Sequence, residues 1–271
     1  MTQINELKWC AANVPAMRDG LADVIAGFYR SLSTTHPGDP SNHWWRNYAR
    51  MVAKSTTLWW VSEEMTSVAE AASGTLPEWQ PITAMPDPVG VVAYATGACG
   101  GVNLITWCVL DTGWMWVYPW SVSRDDITFV APFSVYAPTG ARGEWGDDPQ
   151  AHESMAKCLS MLGSTWLIAQ QVTLADSKTR VLTPMDHKGR ERLDRRAPVT
   201  IVELRRQLGD AHEAKGGTRN YTHRWLVGGH WRQQACGPNR SQRRPKFIAP
   251  YVKGPAGAPL VQKDRVHVWR R

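Results

Sequence analysis

The spacing of apolar residues predicts helices near both ends of the first 175 residues. From Pro15 to residue 33, apolar side chains recur every three or four positions, which is typical of a helix with one buried face. After a loop rich in proline and glycine, the same period continues over residues 44–72. A third helix is predicted over residues 149–174.

Runs of β-branched and aromatic residues predict strands between the second and third helices and again in the tail. The turn Asp111-Thr112-Gly113 joins two of these runs as a hairpin, after an extended, proline-rich connector at residues 76–88. The predicted fold class is therefore α+β, an antiparallel sheet flanked by long helices, with a basic strand-rich C-terminal lobe. The predicted strands are residues 89–94, 103–110, 113–120, 127–136, 199–204, 221–227, 229–234, 246–248 and 265–269.

Composition divides the chain into three predicted regions. Residues 1–175 are predicted to form a scaffold of helices and antiparallel sheet, because 43% of the whole chain is hydrophobic and can bury a proper core. Residues 176–198 have almost no apolar periodicity and are predicted to be a charged linker. Residues 199–271 are predicted to be a basic, strand-rich region that binds nucleic acid.

The spacing of the cysteines and the shortness of the apolar segments indicate a protein of a reducing, aqueous compartment. The five cysteines are widely spaced and contain no C-x-x-C pair, so we expect reduced, buried thiols. The first ten residues lack the apolar core of a signal peptide, and no apolar run reaches about 18 residues. We therefore expect a cytoplasmic protein that does not contact a membrane.

The distribution of charge indicates the partner. Residues 1–175 contain 9 basic and 16 acidic side chains, a net charge of −7, whereas residues 176–271 contain 22 and 8, a net charge of +14. Within residues 219–271, 12 basic side chains stand against the single acid Asp264. This concentration of one sign predicts a polyanionic partner. The alternative is an ordinary solvated basic face that docks on the acidic N-terminal part.

The tail mixes cations with aromatic rings around the pair Gly228-Gly229. Arginines supply phosphate contacts, and aromatic rings stack on unpaired bases, which is how single-stranded RNA is commonly held. The alternative for Trp225, Trp231 and Phe247 is a place in the core of a twisted sheet. The predicted nucleic-acid-binding residues are Arg224, His230, Trp231, Arg232, Arg240, Arg243, Arg244, Lys246, Tyr251 and Lys253.

Two histidines allow an enzymatic alternative. His223 and His230 could serve as the base and the acid of a metal-independent ribonuclease, with neighbouring cations around the phosphate. The alternative for each is a histidine hydrogen-bonded for structure. Together with Cys236 they offer zinc ligands, but no fourth ligand has suitable spacing, so we expect no metal. The glycine-rich residues 97–101 lack the Lys-Ser/Thr of a phosphate-binding loop, and we expect no cofactor.

A third alternative is a protein-binding inhibitor of a host or effector protein. Aromatic side chains are the usual anchors of protein interfaces, and Trp44 and Trp79 are candidates for that role.

The tail resembles a family of uncharacterised proteins from actinobacteria and their phages. The similar text is His-Arg-Trp-Leu-Val at residues 223–227, Gly-His-Trp-Arg at residues 229–232, Gly-Pro at residues 237–238 and Pro-Tyr-Val-Lys-Gly-Pro at residues 250–255. More distantly, this tail is similar to the end of the type V-A anti-CRISPR family that lowers its target effector's messenger RNA during translation. The sequence departs from the first family at Gly228, where an arginine is usual, and at Cys236, where an aromatic residue is usual.

The resemblance implies a phage or mobile-element protein with a role directed at RNA or the ribosome. We therefore expect RNA or a ribonucleoprotein as the partner, in host–phage conflict or gene regulation. The departure at Gly228 removes one expected phosphate contact, and the departure at Cys236 removes one expected stacking ring.

Overall fold

The computed structural model divides the chain into two units, residues 1–205 and residues 206–271. Among the described residues, the first unit contains five α-helices, one 3-10 helix and eight strands, and the second contains four strands and one 3-10 helix. The described residues are 7–36, 38, 41–77, 79, 81–110, 113–123, 127–129, 134–136, 149–191, 196–205, 222–255 and 258–259.

Two helices, α1 (Val14–Thr35) and α2 (Ser41–Lys54), pack against each other and against one face of a sheet. The prediction of the first helix is confirmed. Pro15 lies in its first turn, where a missing backbone N–H costs no hydrogen bond. Each helix turns one apolar stripe inward, and the buried residues of the two stripes are Val14, Met17, Leu21, Ile25, Trp45, Tyr48, Ala49 and Val52.

The predicted helix over residues 44–72 is wrong, because a strand interrupts it. The strand β1 (Thr57–Val61) follows α2, and α3 (Glu63–Ser73) begins only after that strand. The run Thr-Leu-Trp-Trp-Val is mostly β-branched or aromatic, and such residues favour a strand over a helix. The Ser62 side chain then accepts a hydrogen bond from the backbone N–H of Met65 at 3.3 Å, which caps α3.

Seven further strands join β1 in one sheet: β2 (Val89–Ala98), β3 (Val102–Val109), β4 (Met115–Val122), β5 (Ile127–Phe129), β6 (Ser134–Tyr136), β7 (Ala175–Val181) and β8 (Pro198–Leu204). Their order is β5-β4-β3-β2-β1-β8-β7, and β6 also pairs with β4. β1 is parallel to β2 and to β8, whereas the other pairs are antiparallel. The α+β fold class is thus confirmed, and the sheet is mostly antiparallel. Its two parallel pairs both involve β1, a strand in the segment for which the spacing predicts a helix.

The opposite face of the sheet is covered by α3 and α5 (Pro149–Ala169). Trp107 of β3 packs edge-on against Trp166 of α5, with ring centroids 5.0 Å apart. The Tyr94 hydroxyl of β2 is 3.2 Å from that of Thr165. Side chains alternate along a strand, so the neighbours of Tyr94 on β2 and of Trp107 on β3 point to the other face of the sheet. The residues of these two strands that belong to the core with α1 and α2 are Val91, Ala93, Leu104 and Cys108. The first unit therefore has helices on both faces of its sheet. No helix in its described residues is long and apolar enough to cross a membrane.

The connector predicted over residues 76–88 contains one short helix, α4 (Pro81–Ala84). Trp79 precedes it and is half-buried, with its ring centroid 6.1 Å from that of Trp166. A Cβ atom on Gly163 would lie 2.4 Å from this indole, so the glycine makes room for the ring. Trp79 is therefore half-buried rather than exposed, and its role as an anchor for a partner stays a prediction. Trp44, in contrast, is 38% exposed.

The charged linker predicted over residues 176–198 is also wrong in its first part. Residues 175–181 form β7, an edge strand of the sheet paired with β8, and most of its side chains are exposed, which explains the missing apolar pattern. The chain after β7 is held to the start of α1 by the Asn13 side chain. Its Oδ1 accepts from the backbone N–H of Met185 at 2.8 Å, and its Nδ2 donates to the backbone oxygen of Met185 at 2.5 Å. β8 belongs to the same sheet, so the first unit ends at residue 205 rather than at residue 175.

The second unit consists of two antiparallel ribbons among its described residues. One ribbon pairs β9 (Trp225–Val227) with β12 (Tyr251–Lys253), and the other pairs β10 (His230–Cys236) with β11 (Gln242–Ile248). The strands predicted over residues 221–227, 229–234 and 246–248 match β9, β10 and β11 in part. The strand predicted at residues 265–269 lies outside the described residues.

Candidate nucleic-acid interface

One face of the β10–β11 hairpin gathers four of the predicted binding residues. In the antiparallel register, Arg232 lies opposite Lys246, and Gln234 lies opposite Arg244. His230 begins β10 two residues before Arg232. Because opposed residues share a face and side chains alternate along each strand, these side chains leave the ribbon on one side. We call His230, Arg232, Arg244 and Lys246 the cationic face.

The other face of the hairpin explains why the ribbon folds in this register. Trp231 lies opposite Phe247, and their ring centroids are 5.2 Å apart. Phe247 is only 3% exposed and Trp231 is half-buried, so the two rings form a small apolar core for the ribbon. Trp231 and Phe247 therefore pack in the core of this two-stranded sheet, which is the alternative to base stacking given for them from the sequence. Trp231 lies on the side of the hairpin opposite the cationic face, and its stacking on a base stays a prediction.

A glycine sets the approach of the chain to this small core. A Cβ atom on Gly229 would lie 2.7 Å from Cζ of Phe247 and 3.1 Å from Cδ of Pro250. A side chain at this position would have to displace the ring or the proline. For Gly228, a Cβ atom would meet nothing within 4 Å. Gly229 thus allows the backbone to pass close to Phe247 and Pro250, whereas Gly228 has open space beside it. Both glycines lie immediately before His230, the first residue of the cationic face.

The turn of the hairpin positions two further predicted residues. Gly237, Asn239 and Arg240 have positive φ angles of 75°, 51° and 56°, which reverse the chain within five residues. The Arg243 guanidinium donates a hydrogen bond from Nη1 to the backbone oxygen of Arg240 at 3.3 Å. Arg243 lies opposite Ala235, on the face of Trp231. Arg240 and Arg243 are therefore exposed cations at the turn rather than members of the cationic face.

Tyr251 and Lys253 lie on the other ribbon, in β12. Lys253 is directly opposite Trp225, and its ammonium nitrogen is 5.9 Å from the centroid of that indole. The His223 ring lies 5.7 Å from the same indole, measured between centroids. Tyr251 is two residues before Lys253 on the same face and is 42% exposed. This ribbon therefore offers an exposed aromatic ring beside a lysine.

Arg224 has a structural role that the sequence does not indicate. Its Nε donates to the backbone oxygen of Ala258 at 2.7 Å, and its backbone N–H donates to the oxygen of Pro259 at 2.8 Å. These bonds fasten residues 258–259 to the start of β9. Since its guanidinium is half-buried and engaged in this contact, the predicted role of Arg224 in binding phosphate is not supported by its geometry.

Residues 222–255 carry formal charges of one sign only. Residues 222–255 contain seven arginine and lysine side chains and no aspartate or glutamate. On the cationic face, the Arg232 guanidinium donates a hydrogen bond to the neutral side-chain oxygen of Gln234, which orients it without neutralising it. Sequence reasoning missed Gln234, although the period of two in β10 places it on this face. Three cations, Arg232, Arg244 and Lys246, therefore present one sign of charge on this face.

His230 is exposed, and its Nδ1 lies 3.1 Å from the backbone oxygen of Gly228, so a proton on Nδ1 would be donated to that oxygen and Nε2 would accept. His223 instead lies just before β9, half-buried against Trp225. Six residues of extended strand, about 20 Å, separate His230 from Cys236. Within the described residues, no three His, Cys, Asp or Glu side chains form a group that could hold a metal.

No family model, no curated protein and no solved structure matches the chain. The case for a function therefore rests on the geometry of the second unit.

Proposed function

We propose that the second unit binds single-stranded RNA, free or within a ribonucleoprotein, through the cationic face, in gene regulation or host–phage conflict. The observation that carries this proposal is the alignment of Arg232, Arg244 and Lys246 on one side of a hairpin whose surrounding 34 residues, 222–255, contain no carboxylate. Crowded cations of this kind repel one another, and binding a polyanion relieves that repulsion.

Each residue of the cationic face has a distinct task in this proposal. Arg232, Arg244 and Lys246 bind phosphates, with a spacing of about 5 Å across the ribbon and about 7 Å along it. His230 is exposed, and its Nε2 accepts a hydrogen bond from a donor on a base edge. Tyr251, exposed on the second ribbon, stacks on an unpaired base, and this contact favours a single strand over a duplex, whose bases are already stacked.

The proposal is tested by measuring affinity with fluorescence anisotropy against a single-stranded RNA, the matching single-stranded DNA and a duplex, at two or more salt concentrations. The variant Arg232→Gln/Arg244→Gln/Lys246→Gln removes three cations from the cationic face. The matched control Arg180→Gln/Lys188→Gln/Arg196→Gln removes three exposed cations from the first unit. Both variants therefore carry the same net charge.

We expect the first variant to bind RNA at least tenfold more weakly than the wild type. Its affinity should also depend less on salt: the slope of log affinity against log salt should be less negative by about 2, because each phosphate contact on a single strand contributes about 0.7. The control should keep the wild-type slope. Binding that does not respond to salt, or an equal loss in both variants, would refute the proposal. Tighter binding to the duplex would show that a groove rather than an unpaired strand is the target.

A further inference from the structure

The turn between β2 and β3 meets α5 at a pair of cysteines. Cys99 lies in this turn, which is closed by a 3.1 Å hydrogen bond from the N–H of Gly101 to the oxygen of Ala98. Its sulfur is 3.6 Å from the backbone oxygen of Lys157. The next residue of α5 is Cys158, whose thiol is hydrogen-bonded to the Cys99 sulfur. Two thiols that are 59 positions apart in sequence are therefore neighbours in the fold.

The backbone holds the Cys99 sulfur in this position. Cys99 has a φ of 47°, which is uncommon for a residue other than glycine. Its N–H donates to Oε1 of Glu70 on α3 at 3.1 Å, so the turn is fastened to α3 as well as to α5. The chain can reverse here because Gly100 and Gly101 also have positive φ angles, of 81° and 109°.

The two thiols are chemically unequal. Cys99 is half-exposed, and the hydrogen bond from Cys158 lowers the pKa of its thiol. Partial burial and the Glu70 carboxylate oppose this shift, and the Lys157 ammonium adds a smaller lowering effect. Cys158 is 1% exposed, and its bond to Cys99 together with burial raises its pKa. The accessible sulfur is thus the one that forms the thiolate, while the buried one keeps its proton.

We propose that Cys99 and Cys158 form a peroxide-responsive pair, in which Cys99 is the reacting thiol and Cys158 the resolving thiol. The Cys99 thiolate attacks one oxygen of hydrogen peroxide, the O–O bond breaks, and a sulfenic acid forms with release of hydroxide, which takes up a proton to become water. The Cys158 sulfur then attacks the Cys99 sulfur, the S–O bond breaks, and the Cys158 proton leaves with the hydroxyl group as water. Two thiols are oxidised to one disulfide while one peroxide is reduced to two waters.

The disulfide links the β2–β3 turn to α5 across the layer between the sheet and its helices. It closes a chain segment that contains β3, β4, β5 and β6, and a cross-link over so long a segment restricts the unfolded chain strongly. The oxidised first unit is therefore the more stable form. Spacing alone predicts reduced thiols here, because nothing in the sequence brings these two positions together.

The test treats the full-length protein with hydrogen peroxide, alkylates the remaining thiols, and counts them after denaturation. We expect the five thiols of the wild-type chain to fall to three, with a cross-linked peptide pair that contains Cys99 and Cys158. The variant Cys99→Ser should keep all four of its thiols. The variant Cys158→Ser should hold a sulfenic acid at Cys99 that dimedone traps, and Cys158→Ala serves if the serine disturbs the buried site.

The matched control is Cys10→Ser, which removes another half-buried cysteine and should still lose two thiols. Thermal unfolding of the oxidised wild type should show a Tm about 5–10 °C higher than that of the reduced form, and Cys99→Ser should show no such rise. Loss of thiols in Cys99→Ser at the wild-type rate, or a cross-link between other cysteines, would overturn the proposal. A Cys99–Cys158 disulfide that leaves the Tm unchanged would support the pair and refute the stabilisation of the oxidised form.

Discussion

Gly90 lies directly opposite Trp107 in the β2–β3 pair, and a Cβ atom on Gly90 would come within 2.1 Å of Cζ2 of the indole. The ring cannot move aside easily. Its Nε1 donates to the backbone oxygen of Asp87 at 2.9 Å, and its ring packs against Trp166 in a T-shaped arrangement. The absence of a side chain at Gly90 therefore determines how closely α5 approaches the sheet.

We expect Gly90→Ala to lower the free energy of unfolding of the first unit by about 1–3 kcal/mol, as overpacking of a filled core does. Urea unfolding followed by tryptophan fluorescence measures this change. The control is Gly74→Ala at the end of α3, where φ is −66° and no atom lies within 4 Å of the added Cβ. An equal effect of both substitutions would mean that the contact with Trp107 is not the cause.

Three buried tyrosines make the first unit sensitive to alkali. Burial raises the pKa of the hydroxyl groups of Tyr48, Tyr94 and Tyr118. Below about pH 10 both folded and unfolded chains keep these protons, so the stability is fully present there. Above that pH the unfolded chain releases them while the folded chain does not, and each tyrosine then lowers the stability by about 1.4 kcal/mol per pH unit.

We expect the three tyrosines together to lower the free energy of unfolding by up to about 4 kcal/mol per pH unit as the pH rises above 10. The variant Tyr94→Phe should flatten this slope by about one third, although it loses the hydrogen bond to Thr165 at every pH. Urea unfolding over a series of alkaline buffers gives both slopes. Parallel curves for the two proteins would contradict the assignment of Tyr94.

The sequence predicts an element correctly where the spacing and type of its own residues favour the same structure that its packing in the fold requires. The first helix follows from its period of apolar residues, and β3 follows from its β-branched and aromatic run. The pattern fails at β1, because Trp59 and Trp60 continue the helical spacing of α2 by coincidence while the strand is selected by burial between β2 and β8. It fails again at β7, whose exposed edge leaves no apolar signal.

The candidate site could be predicted in composition but not in arrangement. The seven cations of residues 222–255 and the lack of carboxylates in that segment are visible in the sequence. Their division into faces depends on the register that the turn at Gly237 sets between β10 and β11, and this register is a property of the folded hairpin. The same limit applies to Cys99 and Cys158, whose contact depends on how α5 lies on the sheet.

Two adjacent arginines test whether the face, rather than the total charge, determines binding. Arg244 lies opposite Gln234 on the cationic face, and Arg243 lies on the opposite side of the hairpin. We expect Arg244→Gln to weaken binding of single-stranded RNA about fivefold at 0.1 M salt, which is the contribution of one phosphate contact. Arg243→Gln removes the same charge and should have a smaller effect. Equal losses would indicate a diffuse field instead of a defined face.

The glycine pair before β10 gives a test that changes no charge. Alanine at Gly229 would place a methyl group against Phe247 and Pro250, so the ring must shift and the register of β10 and β11 must be disturbed. Because the cationic face exists only in that register, we expect Gly229→Ala to weaken RNA binding at least fivefold, whereas the urea unfolding of the first unit stays unchanged. Gly228→Ala adds the same methyl group where no atom lies within 4 Å, and it should bind as the wild type does. If both alanine variants bind RNA equally well, the cations act without the fold of the hairpin, and the cationic face is not the binding site.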